Sequence, residues 1–213
     1  NQDRKIKTNK FDFKTDYYFI TGAKSNINFT LGTTLSSQKF NSNIFQILDN
    51  NSDLNFTSDE LVNDVEYNFS DLFLGFHYKL IAGKFTINPG FIMHNYTAKN
   101  EQLATSVTDN LFNVVPDLFV NFKLKQSESI RFNYSVNRQF SDIEKFASGY
   151  IFSNYNSMYS GNRNLESALF HNLSLNFFSF NMFNMQNIFA NISYNKRIDA
   201  FKNNSSIIGI NQV

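Results

Sequence analysis

The sequence predicts an all-β fold, and three observations support this prediction. Apolar and polar residues alternate along many segments, which is the period-two pattern of strands with two unlike faces. The 213 residues include 26 Phe and 10 Tyr but only 2 Pro, and aromatic residues favour strands. Helical spacing of apolar residues is nowhere sustained, and no segment approaches the roughly 20 apolar residues that a membrane-spanning helix needs.

Eight runs show the alternation, and they lie at 11–19, 27–35, 65–80, 85–93, 118–124, 130–136, 169–177 and 188–194. A further strand is predicted at 207–213. Within the third run, the apolar residues at 65–69 are in the opposite phase from those at 72–80, which predicts a β-bulge near Ser70 and Asp71. Pro89 cannot donate to a strand ladder, so the fourth run is predicted to contain a local distortion or bulge.

The connections between the runs alternate in length. Short links at 21–25, 82–84, 126–129 and 181–185 alternate with long polar links at 37–64, 98–116 and 139–167, and the link at 196–206 is intermediate. In a barrel that crosses a membrane, one rim turns tightly and the other carries extended loops, whereas a Greek-key sandwich has no reason to alternate. The fold class is therefore an antiparallel up-and-down transmembrane β-barrel, present as a partial barrel of about eight to nine long strands.

Composition and motifs argue against several other functions. Lys and Arg number 19 and Asp and Glu 18, so no basic field indicates a nucleic-acid partner. The chain has no Cys, which excludes disulfides and thiolate zinc sites. We interpret the three histidines, His77, His94 and His171, as wall residues because they lie on separate runs without fixed ligand spacing. No phosphate loop, dinucleotide fingerprint or nucleophile elbow occurs, so we expect neither an enzyme nor a cofactor.

The stretch Asn113–Phe201 carries a family resemblance. Its motifs are Arg131-Phe132-Asn133-Tyr134-Ser135-Val136-Asn137-Arg138, a loop reaching Tyr159-Ser160-Gly161-Asn162-Arg163-Asn164-Leu165-Glu166, and a strand beginning at His171-Asn172-Leu173. They resemble the barrel of Bacteroidetes-type TonB-dependent receptors and related outer-membrane β-barrel proteins, in which a Gly-Asn-Pro-Asn-Leu-Lys-Pro-Glu loop precedes such a strand. Arg163 stands where the family usually has Pro, and Ser167 follows Glu166 directly. Tyr78-Lys79-Leu80 through Gly90-Phe91 also resembles a family segment.

The resemblance implies that residues 1–213 are part of one outer-membrane β-barrel domain of about 22 strands. The plug, the TonB box and any further N-terminal domain are expected outside this chain. The implied function is a transporter that takes up a scarce solute across the cell outer membrane of a Gram-negative bacterium. The implied partners are outer-membrane lipid, the TonB complex through those other parts, and a surface lipoprotein.

Two alternatives stay open at this point. One is a passive porin or structural outer-membrane barrel, whose solute flux would not depend on the proton-motive force. The other is a soluble β-sandwich for adhesion or glycan binding, in which Phe132 and Leu173 would lie in the core.

Two sets of residues are candidates for a functional surface. The first is a polar wall predicted to face the lumen, where it contacts a plug or solute or merely hydrates the channel: Lys79, Asn121, Lys123, Arg131, Asn133 and Asn172. The second is a group of aromatic residues in the third long loop: Tyr150, Phe152, Tyr155 and Tyr159. These aromatic side chains would stack on a ligand, pack the loops together or lie in an interfacial belt.

Overall fold

A computed structural model describes residues 1–154, 156–165 and 167–198, together with the backbone of 207–208 and 211–212. Its strands are β1 (Gln2–Gly22), β2 (Ser25–Ile47), β3 (Asp53–Asn55), β4 (Val62–Ala82), β5 (Phe85–Gln102), β6 (Thr105–Lys125), β7 (Glu128–Gln139), β8 (Tyr150–Asn154), β9 (Ser157–Ser160), β10 (Ala168–Asn181), β11 (Gln186–Ile198), β12 (Ile207–Ile208) and β13 (Asn211–Gln212). Eight of them pair in chain order, β1-β2-β4-β5-β6-β7-β10-β11, and this antiparallel sheet curls into a half-barrel. The predicted fold class is confirmed.

The sheet has an apolar outer face and a polar inner face. Leu31, Leu74, Met93 and Val114 lie opposite one another across four strands. Leu31, Leu74 and Val114 on this row are 44–49% exposed. Their neighbours along the strands, such as Thr30, point to the other face because side chains alternate. A lipid-facing band explains why so many large apolar side chains are exposed. In the described part of the chain, no helix is long and apolar enough to cross a bilayer.

The short turns are confirmed, but two of the three predicted long loops are largely strand. Strand β2 continues to Ile47 and β4 begins at Val62, so the loop predicted at 37–64 spans 48–61 and contains β3. The loop predicted at 98–116 is replaced by the ends of β5 and β6. The long connection at 139–167 is confirmed between β7 and β10. Beyond the lipid the outward face of a strand no longer has to be apolar, so the polar–apolar alternation that reveals a strand weakens there.

The turn between β5 and β6 consists of Leu103 and Ala104, with φ of 52° and 55°. Two left-handed residues in a two-residue hairpin form a type I′ turn, for which Asn-Gly is strongly preferred. Leu and Ala carry no such signal, which explains why the sequence did not predict this turn.

Neither predicted bulge is present. Ser70 and Asp71 lie opposite Leu35 and Thr34 with no shift in register. At Pro89 the register is kept on both sides, but the β4–β5 ladder is interrupted between His77 opposite Gly90 and Leu80 opposite Ile87, so the predicted local distortion is present without a bulge. The phase change in β4 has a different cause, because the apolar side chains at 65–69 lie on the inner face.

A segment between β7 and β10 covers that part of the inner face. It contains a short 3-10 helix (Ile143–Phe146) and the antiparallel hairpin of β8 and β9. We call residues 140–154 and 156–165 the docked segment. Its apolar residues form one buried cluster with the wall: Phe40, Val65, Tyr67, Ile143, Phe146, Ala147 and Ile151. Within the strand predicted at 207–213, the described positions form the two short strands β12 and β13. These strands pair with each other, and β13 also pairs with β9.

The docked segment leaves the wall where β6 and β7 separate. Pairing of these strands begins with Asp117 opposite Ser135 and continues toward the short turn. Strand β6 extends beyond Asp117 to Thr105, paired there with β5. The chain after β7 is therefore free to turn inward.

A charge on the outer face tests the orientation of the sheet. Leu74→Arg is expected to reduce the free energy of unfolding in lipid by roughly 2–4 kcal/mol, because its guanidinium would face hydrocarbon. Thr34→Arg on the inner face lies opposite Asp12 and Asp71, and it should have little effect. Urea unfolding of the full-length protein refolded into vesicles measures both. Equal losses would contradict the assignment of faces.

The β5–β6 turn gives a second prediction. The double substitution Leu103→Asn with Ala104→Gly is expected to stabilise the protein by about 1 kcal/mol, because it relieves two left-handed side-chain conformations. The matched control is Ala23→Asn with Lys24→Gly, in the short turn between β1 and β2, where neither original residue has a positive φ. The same urea measurement applies, and a gain no larger than that of the control would contradict the assigned turn geometry.

Candidate functional site

The middle of the inner face carries two histidine–aspartate pairs. The first joins β4 to β6, because Nε2 of His77 lies 2.9 Å from the Asp117 carboxylate. The intervening strand β5 contributes Gly90, and a Cβ at that position would lie 2.1 Å from the His77 ring. Glycine at position 90 therefore lets the imidazole cross β5 and reach an acceptor on the next strand.

The second pair lies beside the first and includes a stack of rings. Nδ1 of His94 lies 2.9 Å from the Asp71 carboxylate. The His94 ring stacks on Tyr96 with centroids 5.0 Å apart and is tilted against Phe73. Asp71 is 8% exposed, and a buried carboxylate without a hydrogen-bond partner would be costly, so the contact with His94 satisfies it.

A cavity of about 610 Å³ lies against these pairs. It extends to the point where β6 and β7 separate, and its wall includes Lys14, Arg138 and Phe140. Cationic, anionic and aromatic side chains thus meet around one space, as in a site for a polar solute. Within the described ranges, no group of three His, Cys, Asp or Glu residues is arranged to hold a metal ion.

The six predicted wall residues lie on this same inner face but not around the cavity. Asn121 lies opposite Arg131, Lys123 opposite Ser129, and Asn172 opposite Ser135. Asn133 donates a hydrogen bond to Ser174 at 3.2 Å, and Lys79 lies apart on β4 opposite Asn26. Arg131 and Asn133 line a second space of about 490 Å³. That these residues contact a plug or solute stays a prediction.

The histidines lie in the wall as predicted, but the sequence did not predict their aspartate partners. Asp71 and Asp117 lie 46 positions apart in the chain, and His77 reaches Asp117 from two strands away. A contact across two strands depends on the register of three strands, which one sequence does not give. Gly90 was the one local signal, since an isolated glycine in a strand indicates a close approach.

Long connections lie on the extracellular side of such a barrel, and apolar contacts fix the docked segment to that end of the wall. Tyr67 stacks on Phe146 with ring centroids 4.9 Å apart. Phe40, Val65 and Ile151 are each 0% exposed. At the lower edge of the segment, Phe140 packs on Phe69 and Tyr96 with centroids 4.7 and 5.0 Å apart. Phe140 therefore connects the segment to the cavity below it.

Buried polar side chains of the wall bind the backbone of the segment. The Gln102 amide donates to the Phe146 carbonyl at 2.8 Å and accepts from the Ser148 amide at 3.2 Å. Asn63 accepts from the Gly149 amide at 2.8 Å. Gln102 and Asn63 are 5% and 3% exposed. These hydrogen bonds satisfy polar groups that would otherwise be buried without partners. They therefore fix the segment at one position on the wall.

The Gly161-Asn162-Arg163 motif closes the segment on itself and on the wall. A Cβ at Gly161 would lie 2.3 Å from the Lys145 carbonyl oxygen, so glycine allows the two backbones to meet. The amide of Asn162 donates to that same carbonyl at 2.8 Å. Arg163 donates to the Thr105 carbonyl at 2.6 Å and also to the Thr105 hydroxyl. Glu166, the last residue of the motif, lies outside the described residues.

The predicted loop aromatics have different surroundings. Tyr159 lies opposite Ile151 in the hairpin and packs against the buried cluster. Tyr150 and Phe152 lie on the other face of the hairpin and are half-buried. Tyr155 falls outside the described residues. For Tyr159 the packing interpretation fits, whereas ligand contact by Tyr150 and Phe152 stays a prediction.

Burial raises the pKa of Tyr67 to about 12, and the charge of Asp109 adds to this effect. When the segment undocks, the phenol becomes solvated and its pKa returns to about 10. The undocked state therefore loses its proton first, so docking is predicted to weaken as the pH rises from about 10 to about 12.

Tyr67→Phe should remove this pH dependence while keeping the stack on Phe146, because the Tyr67 hydroxyl has no hydrogen-bond partner among the described residues. Cleavage of the docked segment by an alkali-tolerant protease, followed from pH 8 to 11.5, measures the effect. The control is Tyr194→Phe, since Tyr194 is 60% exposed on the outer face. Parallel pH curves for the parent and Tyr67→Phe would contradict the role assigned to the buried phenol.

The apolar outer face, the polar inner face and the paired strands together define a wall of a transmembrane β-barrel. Residues 1–212 match the outer membrane protein beta-barrel family, and the chain belongs to that family. Its place is therefore the outer membrane. No curated protein sequence is similar enough to count as a relative.

Three solved structures are similar to the half-barrel. The alcaligin outer membrane receptor FauA from Bordetella pertussis has a TM-score of 0.57 and 10% identity, covering 97% of this chain. The siderophore receptor PiuA from Acinetobacter baumannii has a TM-score of 0.47 and 12% identity, covering 99% of this chain and 41% of PiuA. The ferric citrate transporter FecA has a TM-score of 0.47 and 14% identity, covering 83% of this chain and 28% of FecA. The chain spans 31% of the length of FauA.

Proposed function

We propose that this chain forms part of the barrel of a TonB-dependent receptor-type transporter, which takes up a scarce solute across the cell outer membrane of a Gram-negative bacterium. The observation that carries the proposal is the inner face, where a polar and aromatic cavity lies beneath a docked segment. A wall that only hydrated an open channel would have no need of a segment buried over its mouth. The similarity in fold to FauA over 97% of this chain supports the proposal.

The remaining roles are part of the same proposal. The Gly161–Leu165 motif favours the Bacteroidetes-type group of these receptors. A plug and a TonB box would belong to other parts of the protein, and the TonB complex would act through them. Outer-membrane lipid would contact the outer face, and a surface lipoprotein is a further candidate partner. We propose neither enzymatic activity nor a cofactor nor a nucleic-acid partner.

The test uses the full-length protein in the bacterium that makes it. A strain lacking the gene is grown in media that are each limited in one nutrient, and the limitation that exposes a growth defect identifies the solute. Restoring the gene is expected to restore growth only when TonB is present, since energy reaches such a barrel through its plug. The control restores the gene in a strain without TonB.

Growth that returns without TonB would contradict the proposal and favour the passive porin. The absence of a defect under every limitation would contradict uptake of a scarce solute and favour a structural barrel.

A further inference from the structure

The docked segment lies at the outer end of the inner face, directly in the path from outside to the cavity. Its lower residue Phe140 packs against Phe69 and Tyr96, which both line the cavity. Its upper part, from the 3-10 helix to β9, covers inner-face residues of β2 and β4. In the complete barrel, a solute that reaches the cavity from outside would therefore pass beside this segment.

We infer that the docked segment is a fixed constriction of the outer mouth, which stays on the wall during uptake and sets the largest solute that enters. The inference rests on the proposed function, because it describes how that function selects by size. It differs from a lid, which would leave the wall to admit solute.

The contacts of the segment favour a fixed position. A lid that opens repeatedly is drawn from regions with few buried apolar contacts and solvent-exposed hydrogen bonds. Here Phe40, Val65 and Ile151 are fully buried at the contact. Undocking would also expose the buried amides of Asn63 and Gln102, which now bind the segment.

The two ends of the contact are fixed independently. At the edge of the sheet, Gln2 accepts from the Phe152 amide at 2.9 Å and donates to the Tyr150 carbonyl at 3.2 Å. On the far side of the segment, Arg163 binds Thr105 at the start of β6. The segment is thus held by β1 at one end and by β6 at the other, and neither attachment can act as a hinge while the other holds.

Thiol labelling tests whether the segment stays docked, and the 213 residues contain no Cys to interfere. Val65→Cys lies beneath the segment and is expected to react about 100-fold more slowly than Ser153→Cys, which is exposed on the hairpin, because reaction requires local opening. The full-length protein is labelled in living cells with a small maleimide, with and without a protonophore. Rapid reaction of Val65→Cys in energised cells would overturn the fixed position and indicate a lid.

A second arm tests the constriction with maleimides attached to polyethylene glycols of graded length. Asn137→Cys lies in the cavity wall and is exposed to its space. Short reagents are expected to reach it from outside, and long ones are not. Adding Phe146→Ala, which removes the stack on Tyr67, should shift the cut-off to longer reagents.

Gly161→Ala is an independent second variant that should shift the cut-off in the same direction, because its Cβ would clash with the Lys145 carbonyl. The matched control is Met158→Ala, on the face of the hairpin away from the buried cluster, which should leave the cut-off unchanged. An identical cut-off in all four proteins, or no labelling by any reagent, would overturn the inference. Labelling reports the position of the segment whether or not solute is transported, so failure here is distinct from failure of the TonB-dependence test.

Discussion

The structure depends on the requirement that backbone N–H and C=O groups in hydrocarbon find partners within the protein. Paired strands meet it, and they leave only side chains to face lipid. Leu31 and Leu74 are consequently exposed where a soluble protein would bury them. The same pairing sends Thr30 and Asp71 to the inner face, where they bind Asp16 and His94. One constraint on the backbone thus separates the apolar face from the polar one.

Above the lipid the constraint no longer applies, and the inner face changes character. There Val65 and Tyr67 are apolar and would face water if the wall stood alone. The docked segment covers them with Phe146 and Ile151. Burial of four such side chains contributes on the order of 6–12 kcal/mol before the entropy of ordering the segment is subtracted. The buried side-chain amides of Asn63 and Gln102 then fix the position of the segment through hydrogen bonds to its backbone.

Alternation of polar and apolar residues predicted the strands well within the membrane, where each strand has two unlike faces. It failed from Ser37 to Ile47, where the outward side chains up to Asn43 are polar, and at the Leu103-Ala104 turn, which contains no typical turn residue. The change of phase at Ser70 is present, but it arises because the docked segment covers the inner face of β4 there, and not from a bulge. The histidine–aspartate pairs were beyond prediction, since His77 meets Asp117 only through the register of three strands.

The strands that extend beyond the lipid have a consequence for whatever meets the cell from outside. From Ser36 to Ile47, β2 continues past Leu35, and its outward side chains up to Asn43 are polar; this part is about 40 Å of strand at the usual rise. Because β4 pairs with it and β5 pairs with β4, this part is a rigid sheet and not a set of mobile loops. An antibody or phage tail fibre would therefore meet a preformed surface on β2, β4 and β5. Escape from such a binder would require exchange of outward side chains such as Lys39 or Glu66, since changes in length would break the pairing.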